Sequence, residues 1–491
     1  MMKQTGFFNM GYFGESQGKI IELPYTNKHL SMFVLLPTDT GGLEKVTEEA
    51  ESLGQKWKAS KEEGQKGKGF IFPHDGCNTS LTDQAVNFTW KKQKDNSGFK
   101  MDSLSTANVE FCLDVFKELS SNHVGDNVFF SPVSLLYALS MLFLGARGNS
   151  AAQMGKVFHF NYVERSSNPG LGNSSKCGLT GGIHLELPAL FSQISRSDSN
   201  YTLSIANKLY GTKNIEFHPQ YLSCSEELYQ SKLQTVDFEH APEETRKTMN
   251  AWVESKTNGK IKNLFSKGTI DTSSVMVLVN AIYFKGQWQN KFQEEQTTKM
   301  PFKLRKGQSV PVKMMHQTGT FKVALIKEPQ MQVLELPYAG GDLSMILLLP
   351  KDTEQVEQIE KQLNLKTFKQ WTSSFMTERE VDVQIPRFKL GIKYELNSLL
   401  KKLGIRDIFD HSKADLSGLS PSRDLYLSKV IHESFVDVNE KGTEASAATG
   451  DVIVVKRLPV RVRFIADHPF LFFIKHISTN TILFCGRFSS P

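Results

Sequence analysis

The chain has 491 residues, 39% hydrophobic and 22% charged, with a formal net charge of +6. That composition is ordinary for a soluble globular protein, and the excess charge is too dilute to argue for a nucleic-acid or membrane partner. The length exceeds what one hydrophobic core usually supports, which by itself suggests more than one domain.

The chain opens on half of an internal repeat. Met1–Asp39 aligns without a gap with Met314–Asp352, and roughly half of the paired residues are identical. Two copies so far apart exclude a solenoid. In the second copy, strand-like runs at Gln332–Leu336 and Leu343–Leu349 flank a Tyr338–Asp342 turn; the first copy keeps the pattern, with Asn27-Lys28 in the turn. Residues 40–100 then become polar and basic, with Lys/Gly/Ser runs, and are expected to be disordered or a non-native junction. We expect 1–39 to be a partial duplicate joined from a tandem neighbour, because an isolated strand pair does not hold itself together in water.

Met101 opens a well-patterned region that runs to Pro491. Val109, Leu113, Phe116 and Leu119 share one helical face. Leu135–Ala146 is the longest apolar run, too short to span a bilayer, and predicts a buried core helix. Helical runs are Phe111–Leu119, Ser134–Ala146, Glu243–Thr257 and Lys393–Lys402; strand-like runs are Val275–Phe284, Val333–Leu336, Ser344–Leu349, Val381–Ile385 and Phe470–Ile474. Helices and strands do not alternate strictly, so the pattern predicts an α+β fold with a large mixed or antiparallel sheet.

Cys77, Cys112, Cys177, Cys224 and Cys485 are odd in number and scattered, so free thiols in a reducing compartment are expected. Met1–Lys19 has no apolar run of signal-peptide type. The histidines lack metal spacing, and GxSxG and GxxxxGK[ST] are absent, so no metal, cofactor or enzymatic activity is expected. The basic runs Lys58–Lys68 and Lys91–Lys100 read as solvated linker, with no nucleic-acid or membrane role.

Three segments then point to a family. Asn280–Trp288 (NAIYFKGQW), Glu440–Thr449 (EKGTEASAAT) and Ala466–Ile474 (ADHPFLFFI) resemble three hallmarks of the serpins, in the right order, within a resemblance covering 101–491. The start at Met101-Asp-Ser-Leu and the end Phe484–Pro491 are similar to the ovalbumin-like clade, clade B; Met1–Asp39 resembles an internal fragment of a second member. The resemblance implies one domain with three β-sheets, about nine α-helices and an exposed reactive-centre loop. It also implies a monomer in the cytoplasm, with room for release by an unconventional route.

Serpins act as suicide substrates. A serine protease cleaves the loop to form an acyl-enzyme, and the loop then inserts as a new strand in the central sheet. The hinge in this chain would be Glu440, Gly442, Thr443, Glu444, Ala445, Ser446, Ala447, Ala448 and Thr449. Gly442 supplies backbone freedom, and the small side chains lose little entropy on ordering. Family spacing places the reactive bond between Lys456 and Arg457, with cleavage after Arg457 an open alternative. A basic residue there suits a protease with an acidic specificity pocket, so the implied partner is a trypsin-like serine protease, bound covalently. Ser131, Ser134, Asn280 and His432 match the polar cluster that latches the sheet, and Trp288 marks where the loop would enter. Two features favour the alternative, a non-inhibitory serpin acting as substrate or binding protein. Period-2 alternation carries Asp451 toward the interior, and Arg457 is bulky where many inhibitory members have a small residue.

Overall fold

The computed structural model describes residues 9–12, 18–24, 31–37, 96–160, 177, 182–195, 201–305, 307–440 and 461–491. It divides into two units, Met1–Asp95 and Asn96–Pro491.

In the first unit, β1 (Asn9–Tyr12), β2 (Gly18–Pro24) and β3 (Ser31–Pro37) form an antiparallel sheet in that order. Gly18 pairs with Pro37, Pro24 with Ser31, and Asn9 with Glu22.

The second unit carries nine α-helices among the described residues: α1 (Asn96–Asn122), α2 (Pro132–Gly145), α3 (Gly148–Val157), α4 (Ile183–Ile194), α5 (Pro219–Tyr229), α6 (Pro242–Lys256), α7 (Val356–Gln362), α8 (Leu365–Lys369) and α9 (Asn397–Leu403). Its strands are β4 (Val128–Phe130), β5 (Tyr201–Thr212), β6 (Gln234–Val236), β7 (Met276–Gly286), β8 (Thr298–Lys303), β9 (Ser309–Ile326), β10 (Met331–Pro337), β11 (Leu343–Pro350), β12 (Thr377–Pro386), β13 (Phe388–Glu395), β14 (Lys429–Val438), β15 (Val462–Ile465), β16 (Phe470–His476) and β17 (Thr481–Phe488). Here Met331 pairs with Pro350, Pro337 with Ser344, and Lys322 with Glu335. With Met1 aligned to Met314, these are the same pairs that join β1, β2 and β3.

A five-stranded sheet runs β13-β14-β7-β5-β6, and a nine-stranded sheet runs β15-β12-β9-β10-β11-β16-β17-β4, with β8 beside β9. The long β9 pairs with β8 near its start, with β12 along its middle and with β10 at its end. It therefore runs two sheets of the expected three into one hydrogen-bonded ladder.

Helix α2 is apolar nearly all round, from Val133 to Leu142, and is buried on almost every residue, as such a helix must be. Pro132 opens it at a position where a missing N–H costs nothing, and Ser131 caps it by accepting from the Ser134 N–H. The first helix begins at Asn96, ahead of the Met101 expected from the pattern. Lys393–Lys402 is not one helix. Phe388, Leu390 and Tyr394 are buried between exposed Lys389, Lys393 and Glu395, a period of two that belongs to β13, and the helix starts only at Asn397.

The cysteine expectation also needs correction. Cys177 and Cys224 are joined by a disulfide, while Cys112 and Cys485 are free and buried. Sequence spacing hid the pair because the fold brings α5 alongside residue 177. No helix among the described residues is long and apolar enough to cross a membrane.

The last strand is tied down by a buried ion pair. Arg487 Nη1 donates to Glu360 Oε1 at 2.7 Å, with side-chain exposures of only 3% and 11%. Its other N–H groups reach the carbonyl oxygens of His123 and Asp126. Removing one partner strands the other charge in a low-dielectric site. Arg487→Leu should therefore lose about 3 kcal/mol of stability or more, read as a fall in the urea midpoint; a loss under about 1 kcal/mol would show that water reaches Glu360.

Candidate functional site

The centre of the five-stranded sheet is polar. Register places His432 of β14 opposite Asn280 of β7, and Asn280 opposite Asn207 of β5. The N-terminus of α2 meets this row from below. Ser131 N–H, which can only donate, points at His432 Nε2 at 3.2 Å, so that nitrogen must be the acceptor. The ring proton consequently sits on Nδ1 and is donated to Asn280 Oδ1 at 2.5 Å. Asn280 Nδ2 in turn donates to Ser134 Oγ at 2.6 Å, to the Ser134 carbonyl and to Asn207 Oδ1. Ser434 Oγ lies 2.7 Å from His432 Nε2, and Ser131 Oγ donates to the Leu483 carbonyl of β17 at 2.6 Å.

One network thus ties α2, β5, β7, β14 and β17. Complete burial removes the solvation that a charged imidazole needs, and pushes the His432 pKa down to about 3. The ring is neutral, and its single free lone pair is already committed.

A second group of contacts holds the exit of β14. The Trp288 indole N–H donates to the Asn439 carbonyl at 2.9 Å, and its ring stacks on Tyr338 at 4.5 Å. Gly286 lies under Tyr338, where a Cβ would come within 2.6 Å of the ring, so only glycine fits this approach. Glu440 is buried although charged: its carboxylate accepts from Thr297 Oγ1 at 3.0 Å and faces Arg387 Nη1 at 3.4 Å.

Of the residues singled out from sequence, Ser131, Ser134, Asn280 and His432 meet in one cluster, and Trp288 and Glu440 meet at the strand exit. Gly442, Thr443, Glu444, Ala445, Ser446, Ala447, Ala448, Thr449, Asp451, Lys456 and Arg457 lie outside the described residues. The sequence reading missed Asn207, Ser434, Arg387, Thr297 and Tyr338. Asn207 carries no local motif and reaches Asn280 only through the pairing of β5 with β7, whereas Ser434 lies two residues along β14 from His432, on the same face of the strand. Among the described residues no cluster of His, Cys, Asp and Glu could hold a metal ion.

A network that latches a sheet of this order, in a chain whose sequence continues after β14 into small residues, is the layout of a serpin. The family profile Serpin (serine protease inhibitor) matches residues 1–74 and 106–491, and the chain belongs to this family. Human (Homo sapiens) Serpin B11 is 66% identical over 392 residues, covering 80% of this chain and all of that protein. Human leukocyte elastase inhibitor is 46% identical over 396 residues, again covering 80% of this chain and all of the relative. The crystal structure of uncleaved ovalbumin superposes with a TM-score of 0.71 at 40% identity, covering 79% of this chain and all of that one. The ovalbumin-like clade is therefore where the chain falls, within a family of protease inhibitors rather than catalysts.

The neutral His432 sets a pH dependence. Its folded pKa lies below the ordinary value of 6.5, so on acidification the unfolded chain takes up a proton that the folded chain refuses. Stability from this group is complete above pH about 6.5 and falls as the pH drops toward about 3, by up to about 1.4 kcal/mol per pH unit. His184, lowered to about 4 by burial, adds in the same window. His432→Asn should be less stable at pH 7 and should lose less on going from pH 7 to pH 5. Urea midpoints at several pH values measure this, and an unchanged slope would mean that His432 is not the group refusing the proton.

Proposed function

We propose that this chain inhibits trypsin-like serine proteases as a suicide substrate, with the bond between Lys456 and Arg457 as the bait. The protease serine attacks the Lys456 carbonyl, the bond to Arg457 breaks, and the new ester holds the enzyme while 441–456 inserts into the five-stranded sheet. A lysine before the reactive bond suits an acidic specificity pocket.

The observation that carries this reading is the pairing at the middle of that sheet. β14 and β7 run parallel as direct neighbours from Lys429 opposite Val277 to Val436 opposite Phe284. On insertion the chain leaving β14 would turn back antiparallel to it, and hence antiparallel to β7 as well. Insertion between them replaces one parallel ladder by two antiparallel ones, which pair slightly better per residue. Glu440, held by Thr297 and Arg387, supplies a fixed pivot for the turn. The hinge residues Gly442, Thr443, Glu444, Ala445, Ser446, Ala447, Ala448 and Thr449 are free of proline and of large apolar groups.

On this reading Asp451 slows the end of the stroke, because its carboxylate moves toward the interior. Trypsin incubated with the full chain at rising molar ratio should give a complex that survives denaturant, and a released fragment beginning at Arg457. Asp451→Ala should lower the number of inhibitor molecules consumed per protease. Clean cleavage without a complex would favour a non-inhibitory serpin acting as substrate or binding partner, and a fragment starting at Leu458 would move the reactive bond to follow Arg457.

The working form we assign is a cytoplasmic monomer formed by 101–491. Residues 1–39 would be a partial second copy and 40–100 a non-native junction. The identical strand register of β1–β3 and β9–β11 supports the duplication. Peptide mapping of native tissue should find no peptides spanning Gln93 to Asp102; their abundance would make the extension a genuine part of the protein.

A further inference from the structure

Two buried thiols take no part in the latch or in the proposed loop chemistry. Cys112 of α1 and Cys485 of β17 are free and have no exposed surface. A buried cysteine by itself is inert filler, and its reactivity depends on what lies beside it. Here each lies beside the other: the Cys485 side chain interacts directly with that of Cys112.

The fold fixes this approach from both sides. Along α1, Ser105, Asn108 and Cys112 share one face, at a spacing of three and then four residues. Ser105 Oγ donates to the Asn480 carbonyl at 2.9 Å. Asn108, itself buried, donates through Nδ2 to the Ile482 carbonyl at 3.3 Å and accepts the Ile482 N–H on Oδ1 at 2.7 Å. These bonds clamp α1 to the start of β17, one helical turn before Cys112 and three residues before Cys485. On the strand side, Cys485 pairs with Phe473 of β16 and with Phe130 of β4, so its backbone has neighbours on both edges. Both thiols therefore sit on regular elements that hold them together.

We propose that Cys112 and Cys485 are a redox-active pair, which a small-molecule disulfide oxidises to a second disulfide joining α1 to the last strand. One thiolate attacks the oxidant and releases one small thiol, leaving a mixed disulfide on the protein. The other thiolate then attacks the protein sulfur of that bond and expels the second small thiol. Two protons and two electrons leave the protein, and the oxidant is reduced to two thiols. Burial, and then Cys112 and the Glu360 carboxylate, raise the Cys485 pKa, so in the closed fold this thiol stays protonated and unreactive. Exchange waits for α1 to lift from β17, and the bond, once made, prevents that opening. Closing so long a loop also favours the folded chain by restricting the unfolded one.

The test stands apart from the inhibitory reading. The native full chain, with Cys77→Ser removing the thiol outside the two pairs, is incubated with oxidised glutathione, alkylated in denaturant and digested without reduction. Tryptic peptide 101–117 should be found linked to peptide 476–487. The rate of linkage should rise several-fold in urea below the unfolding transition, because local opening exposes the thiols. The linked protein should melt roughly 5 °C higher than the unlinked one. Cys112→Ala should abolish both the link and the gain in melting temperature. Glutathione adducts on the two cysteines without a link, a link from either to Cys177 or Cys224, or no reaction below the unfolding transition would overturn the proposal.

Discussion

A neutral imidazole that accepts one backbone N–H and donates one proton holds the middle of this molecule. His432 takes the Ser131 N–H on Nε2 and gives its own proton to Asn280, and through those two bonds the start of a core helix and the two central strands keep their places. Each such bond contributes only about 1 kcal/mol net, but a buried partner left unpaired costs more. The line between β14 and β7 is closed by a parallel backbone ladder, with the polar pair His432 and Asn280 at its middle. On the proposed reading, an entering strand would supply new partners to the backbone groups of that ladder.

Apolar layers pack on both faces of the sheet, so on the proposed reading any gap made between β7 and β14 would be narrow. On one side α2 and the nine-stranded sheet form the large core. On the other, Met249 and Val253 of α6 pack with Ala206, Tyr210, Val277, Val279 and Ile431, residues drawn from β5, β7 and β14. A strand entering there, as proposed, would have to pass between these two packed layers. Close packing penalises added volume there, which is the physical demand met by Ala445, Ala447 and their neighbours.

Asn207 belongs to two settings at once. Its Oδ1 accepts from Asn280 of the latch, and its Nδ2 lines a cavity of about 760 Å³ between β5 and helices α4, α5 and α6.

The α+β class, the buried helix at Leu135–Ala146 and the duplicated segment could be read from residue patterns alone, because apolar periodicity and direct repetition are local properties of a chain. The latch was readable only in part: Ser131, Ser134, Asn280 and His432 stood out through family motifs, and nothing in their spacing showed that they touch. Asn207 stayed hidden because contact between strands depends on register, which no short window of sequence encodes; Ser434, two residues from His432 on one strand, was within reach of the period-2 pattern. Long-range contact likewise hid the disulfide between Cys177 and Cys224 and the partners of Glu440, Thr297 and Arg387, whereas the period of two that assigns Phe388–Glu395 to β13 is local. The sequence by itself determined which segments are apolar, which are small and where the chain repeats itself. Only the tertiary structure decided which polar groups share a buried site, because burial and proton position are set by neighbours that lie hundreds of residues away along the chain.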